Sequence, residues 1–231
     1  MIQAQLIKMK RTPFAWYLFL STVGLIGMFL LYNVLYNYKP VEERLQLLFE
    51  IYGTFLPLLH ALTVFFIINP EEQMANMYQL LSVKRRITQF LTLAFMVWSM
   101  ESIRLLLTFG LVGLQVGMMV CGKQVLLFIL GEALLSMLGV TFHLWLNLKF
   151  GVALSMFFAI LELLQSVMYS NITIVGIWKY LPTAWPMEWK SDVMNQAWGG
   201  QLPFWGSCVG LIVIAMALFC AWFCRWEGRK K

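Results

Sequence analysis

NPEEQMANMYQLLSVKRR, residues 69–86, separates two long hydrophobic runs and carries its own start and stop signals for a helix. Asn69 can cap, Pro70 suits a first helical position, and Glu71 and Glu72 sit where a helix dipole favours negative charge. Glu72 also stands where it can close a capping box. Lys84, Arg85 and Arg86 complement the other end. Between them Met74, Met77, Tyr78 and Leu81 recur at helical spacing, which predicts one apolar stripe on a polar helix. A short amphipathic helix between two membrane passages needs a partner for such a stripe.

Working outward, the chain is 61% hydrophobic and 12% charged. Soluble domains are usually about a quarter charged, so the composition excludes that class and reads as an integral membrane protein. The net charge of +6 reports orientation, and no nucleic-acid partner is needed to explain it. Residues 1–12 contain Ile2, Leu6 and Met9 on one helical face beside Lys8, Lys10 and Arg11, the pattern of a helix in the headgroup plane; a disordered basic start is the alternative. Apolar runs at about 14–36, 47–68, 87–109, 123–146, 152–174 and 204–224 each suit a helical crossing of roughly 30 Å of hydrocarbon. Pro57 should bend the second.

The stretch 87–122 would reach about 54 Å as one helix, too long for one crossing. Gly110, Gly113 and Gly117 therefore predict an end near Phe109 and an apolar connection over 110–122. Residues 175–203 form the longest segment on the outer side, with Pro182, Pro186, Pro203 and Trp178, Trp185, Trp189 and Trp198. Counting Lys and Arg by side, eleven fall at the N-terminus, in 69–86, at Lys149 and in the tail, against five in the outer segments. The positive-inside rule then gives six spans with both termini cytoplasmic. Cys121 and Cys208 could meet near the outer surface, whereas Cys220 and Cys224 lie near the inner end.

Several polar residues fall inside these spans. Glu101 and Arg104, one turn apart, are expected to form a structural pair near the outer interface, with Arg104 snorkelling. Glu132 has no local partner. Glu162 shares a face with Ser155, Ser166 and Tyr169 and suits an interhelical hydrogen bond, a proton-linked group or a contact for a cationic substrate. His60 and His143 invite a haem reading. Their depths, about nine and five residues from the inner ends, differ by about 6 Å and favour ordinary packing. Gly206 and Gly210 offer a weak helix-contact motif. Tryptophans gather at membrane interfaces without any ligand, but the density between Trp178 and Trp205 reads as a shaped outer lid. No Walker A sequence, nucleophile-and-base pattern or zinc helix is found in the chain.

A basic amphipathic start, six spans, an acidic-start helix after the second and the sequence LLSVKRRITQF together resemble an ABC-2 type permease of the exporter class. The stretch GIWKYLPTAWPMEW, residues 176–189, after a glutamate-bearing fifth span, is similar to the permease subunits of lantibiotic immunity transporters. The resemblance implies an all-α membrane fold in which 1–12 is an elbow helix and 69–86 a coupling helix that docks on a nucleotide-binding subunit. Contacts would come from Glu71, Glu72, Met74, Met77, Tyr78, Leu81, Lys84 and Arg85. It further implies two copies of a separate ATPase holding ATP and Mg, with no cofactor or metal on this chain, and a second, related permease subunit. The cargo would be a lantibiotic-like peptide removed from the lipid of a bacterial plasma membrane. The path or outer gate would involve Glu162, Ser166, Tyr169, Trp178, Trp185, Glu188, Trp189 and Asp192. Two rivals stand beside this reading: a membrane enzyme or cytochrome using Glu132, Glu162 and the histidines, and a sensor subunit with no translocation path.

Overall fold

The computed structural model describes residues 13–75, 77–82, 85–116, 118–171 and 177–228. The expected elbow helix at 1–12 lies outside them. Among the described residues the fold is all-helical, without a strand: α1 Phe14–Leu35, α2 Val41–Ala75, α3 Tyr78–Leu81, α4 Arg86–Val116, α5 Met118–Phe150, α6 Val152–Asn171, α7 Trp185–Met194 and α8 Leu202–Arg225. Short 3₁₀ turns at Ile177–Tyr180, Pro182–Ala184 and Trp198–Gln201 link α6, α7 and α8. Among the described residues five stretches are long and apolar enough to cross a membrane: Phe14–Leu35, Val41–Gln73, Arg86–Val112, Gly122–Phe150 and Gly199–Arg225. Val152–Met168 is apolar but shorter. The chain therefore has the character of a multi-pass membrane protein.

Central α5 packs on α4, α2, α6 and α8, while α2 packs on α6 and α5, and α1 lies against α4. Two cores stack along the bundle. At one end, the tail end, Phe14, Ile68, Met77, Leu80, Phe90, Phe223 and Trp226 pack together. At the other, the cap end, Phe29, Phe49, Tyr52, Phe109 and Phe128 form an aromatic cluster, with Phe49 stacked on Phe128 at 3.9 Å between centroids. Outward faces stay apolar: Phe19, Leu20 and Val23 on α1, and Val213, Ile214 and Leu218 on α8, are exposed. Helices that bury one stripe and leave an apolar one outside are built for a hydrocarbon solvent.

Helix boundaries depart from the sequence expectation where punctuation residues were read as breaks. α2 runs unbroken through Asn69 and Pro70 to Ala75, so Asn69 is not a cap and residues 69–86 are not one separate helix. Proline removes one hydrogen bond, whereas ending the helix at Asn69 would free several backbone groups. The helix closes later, where Met77 N–H reaches back six residues to the Glu71 carbonyl at 3.1 Å and Met77 takes a positive φ of 66°, the left-handed backbone common just past a helix end. The one-turn α3 then leads to α4. Likewise α4 continues through Gly110 and Gly113 to Val116, and α5 begins at Met118. The expected apolar connection over 110–122 is thus helical on both sides of residue 117. Each glycine costs about 1 kcal/mol in a helix, less than leaving backbone polar groups unpaired in an apolar environment. Similarly, α2 starts at Val41, inside what reads as an outer loop.

Candidate functional site

A tight junction sets up the site. After α5, Gly151 adopts φ 102° and its N–H donates to the Asn147 carbonyl at 3.0 Å, folding α6 back along α5. That register sets His143 beside two residues of α6. His143 Nδ1 lies 3.2 Å from Ser155 Oγ, and Nε2 lies 3.1 Å from Glu162 Oε2. Nε2–H can donate to the carboxylate, while the serine hydroxyl that meets Nδ1 also reaches the His143 carbonyl at 3.5 Å, so the ring is held at both nitrogens. Ser155 and His143 are fully buried.

Glu162 opens onto a cavity of about 430 Å³ walled by α2, α5, α6 and α8. Leu135, Leu138, Phe142, Phe158 and Phe219 supply most of its surface, with His60, Ser136, Glu162 and Gln165 as the polar groups of its helical walls. Leu181, Pro182, Thr183 and Pro186 form its roof. His60 approaches from α2, 6.4 Å from the His143 ring between centroids, so the depth mismatch inferred from sequence does not separate the two histidines. The reason is a gap: a Cβ on Gly139 would stand 2.6 Å from His60 Nδ1, so only glycine there lets the ring lie against α5. The same closeness opposes a bis-histidine haem, because His60 rests on the α5 backbone and both His143 nitrogens are engaged.

A serine, a histidine and a glutamate in sequence contact invite comparison with a hydrolytic triad. Here the glutamate faces the cavity, while Ser155 is buried behind the histidine and lines no part of it. The accessible chemistry is that of a carboxylate held in an apolar wall.

The roof is fastened by α7, which sinks between α2 and α5. Trp189 Nε1–H donates to the Leu127 carbonyl at 3.1 Å, Trp205 Nε1–H donates to Asp192 Oδ2 at 2.9 Å, and Lys190 Nζ reaches Glu50 Oε2 at 3.3 Å. Trp185 Nε1–H donates to the Lys179 carbonyl at 3.3 Å. Trp185 and Asp192 are therefore internal fasteners of the cap, where the sequence pointed to groups that greet a peptide. Burial pushes both Glu188 and Asp192 above their ordinary carboxyl values; for Glu188 the neighbouring Asp192 adds to the effect, and for Asp192 the Trp205 bond opposes it.

Glu101 and Arg104 do pair, inside the bundle and not at its surface. Arg104 is completely buried and donates to Tyr17 Oη at 3.1 Å, Ser21 Oγ at 3.3 Å and Thr63 Oγ1 at 2.9 Å, while Thr63 donates to Glu101. Arginine in the bundle interior is held by α1, α2 and α4 together, so it has no reason to snorkel. Glu132 is likewise buried, and neither carboxyl oxygen has a partner among the described residues.

Of the expected coupling residues, Met77 is buried in the tail-end core and Leu81 packs against it, so part of the stripe is covered by the chain itself. Glu71 is buried, Glu72 half-buried and Arg85 exposed. The side chains of Met74 and Tyr78, and Lys84, lie outside the described residues, as do those of Tyr169 and Trp178. Ser166 is buried with its hydroxyl donating to the Glu162 carbonyl at 3.0 Å, off the cavity wall. Cys208 is a buried free thiol, and Cys121 lies outside the described side chains. Sequence reasoning passed over Gly139, Ser136 and Gln165; the signal that could have linked His143 to Ser155 was their short separation of 12 residues across the Gly151 turn.

Comparisons with family models, curated proteins and solved structures find no match to this chain.

Proposed function

We propose that this chain is the membrane subunit of an ATP-driven exporter of the ABC-2 kind, crossing a bacterial plasma membrane six times with both termini cytoplasmic. Its cargo is a cationic, membrane-active peptide of the lantibiotic type. A separate ATPase, in two copies, binds ATP and Mg, and a second related permease completes the complex. The observation that supports this best is the capped, largely apolar cavity with the single carboxylate of Glu162 in its wall. Such a space suits an amphiphile that arrives from lipid rather than from water. The resemblance of 69–86 to a coupling segment supplies the energy source: it lies where α2 passes to α4, with Glu72 and Arg85 left accessible.

The test is to co-express the chain with a candidate ABC-type ATPase in a lantibiotic-sensitive host. Copurification of the two and a raised inhibitory concentration are expected. Glu72→Lys combined with Arg85→Glu should leave the complex in the membrane but abolish peptide-stimulated ATP hydrolysis. A chain that neither binds the ATPase nor raises the inhibitory concentration sinks the export reading. Full resistance in the double variant sinks the coupling assignment.

A further inference from the structure

We propose that the cavity is a binding site for one ammonium group carried on an apolar body, with Glu162 as its counter-charge. Its volume of about 430 Å³ falls in the range of small-molecule sites, roughly 300–1,000 Å³. That is room for one side chain and its apolar neighbour, not for a whole amphipathic peptide. The inference deepens the export reading by naming which part of a cargo is gripped, and rests on it only for the cargo's identity.

Several features favour a cation. Among the described residues no Lys or Arg lines the space, and its few polar groups can all accept. Glu162 gives one oxygen to His143, while Oε1 has no hydrogen-bond partner among the described residues. His60 Nε2 is buried without a partner, which is costly unless a ligand group reaches it; with the ring proton on Nδ1 it is an acceptor. Pro57 adds a further acceptor, for it has no N–H to give to the carbonyl of Gly53, and both residues stand on the cavity wall. An ammonium has three donors and no acceptor, so it complements this set. Phe142 and Phe158 also line the space, and an aromatic ring favours a cation over a neutral group of equal size where the cation meets its face. α6 and α8 each pack on α5, and Trp185 of the cap packs with Leu135 of α5 and Trp205 of α8.

The full chain in nanodiscs of phosphatidylcholine, which bring no primary amine, is titrated calorimetrically at pH 7 with 4-phenylbutylamine and with its neutral isostere 4-phenylbutanol. The amine should bind about tenfold or more tightly than the alcohol, the worth of one charge-assisted hydrogen bond. Glu162→Gln should erase that preference, and Ser136→Phe, which fills the cavity, should abolish both ligands. Carbodiimide modification of Glu162 in the unaltered protein, counted by mass spectrometry as the N-acylurea together with any amide formed with the amine itself, should be slowed by the amine and not by the alcohol, so the outcome does not hang on a variant that folds. Competition by acetyl-Phe-Lys-Phe-amide assigns the ammonium to a peptide side chain; its failure assigns it to a free lipophilic amine. Equal affinity for amine and alcohol, or an amine preference that survives Glu162→Gln, overturns the site. Amine binding without any resistance phenotype keeps the site and removes the export reading, and resistance without amine preference does the reverse.

Discussion

Gly131→Ala should loosen the cap, although helix propensity alone predicts the opposite. Alanine is better than glycine in a helix interior by about 1 kcal/mol. In this structure, however, a Cβ at position 131 would lie 2.0 Å from Trp189 Cε2 and 2.1 Å from its Nε1. Ordinary contact needs about 3.5 Å, so the indole must retreat by about 1.5 Å. That movement breaks the bond from Trp189 Nε1 to the Leu127 carbonyl, worth about 1 kcal/mol. It also disturbs the edge-on packing on Trp205 at 5.2 Å, worth about 1 kcal/mol. Forced repacking adds roughly 1–3 kcal/mol, and the net cost after the propensity gain is about 2–4 kcal/mol. Detergent-titrated unfolding in mixed micelles measures it, with protease cleavage within residues 182–201 as the local reading. Trp189→Ala makes the needed room, so Gly131→Ala added to that background should cost no more than about 0.5 kcal/mol. An equal cost in both backgrounds would refute the steric reasoning.

Glu101→Gln or Arg104→Leu alone should each destabilise the bundle by about 3–5 kcal/mol, because each strands a buried partner. The double variant should cost clearly less than the two together, and simple additivity in the same titration would count against the pair. For the cap, Asp192 and Glu188 have folded values raised above 3.8 and 4.5. The folded state therefore holds more protons just above those values, and the stability they contribute is present below them and lost as pH rises through the raised values. Hydrogen exchange in α7 should accelerate over that rise, and Asp192→Asn, which keeps an acceptor for Trp205, should flatten the profile; an unchanged slope contradicts the assignment. Gly139→Ala should cost about 1–3 kcal/mol by pressing on His60, and His60→Ala in the same chain should recover most of it, as thermal unfolding would report.

Much of the bundle was legible because hydrocarbon solvent writes itself into composition. The runs read at 14–36 and 204–224 match Phe14–Leu35 and Leu202–Arg225 within two residues. What misled was punctuation. Asn69-Pro70 and Gly110 are reliable stops in water, where a freed carbonyl finds a solvent partner, but here backbone satisfaction outweighs propensity. Site legibility failed for a different reason. The face holding Ser155 and Glu162 was visible as periodicity within one helix, whereas its partner His143 lies across a turn. The access of His60 depends on the missing side chain at Gly139, a complementarity no single-helix pattern contains. Trp185 and Asp192 could be placed in an outer segment by sequence, but whether such residues face solvent or fasten a cap depends on which carbonyl or indole lies opposite.

The unbroken α2 also has a mechanical meaning. Its 35 residues make a rod of about 52 Å, with Pro57 and His60 at the cavity wall and Ala75 some 18 residues, or about 27 Å, beyond the proline. Proline is where such a rod bends. A hinge of about 5° at Pro57 sweeps Ala75 sideways by about 2.4 Å at that arm length, enough to carry a side chain from one packing groove toward the next. Conversely, a push of that size near Glu71 arrives at the cavity as a small rotation, so the helix is geared: large, weak movement at the tail end is exchanged for small, forceful movement beside Glu162.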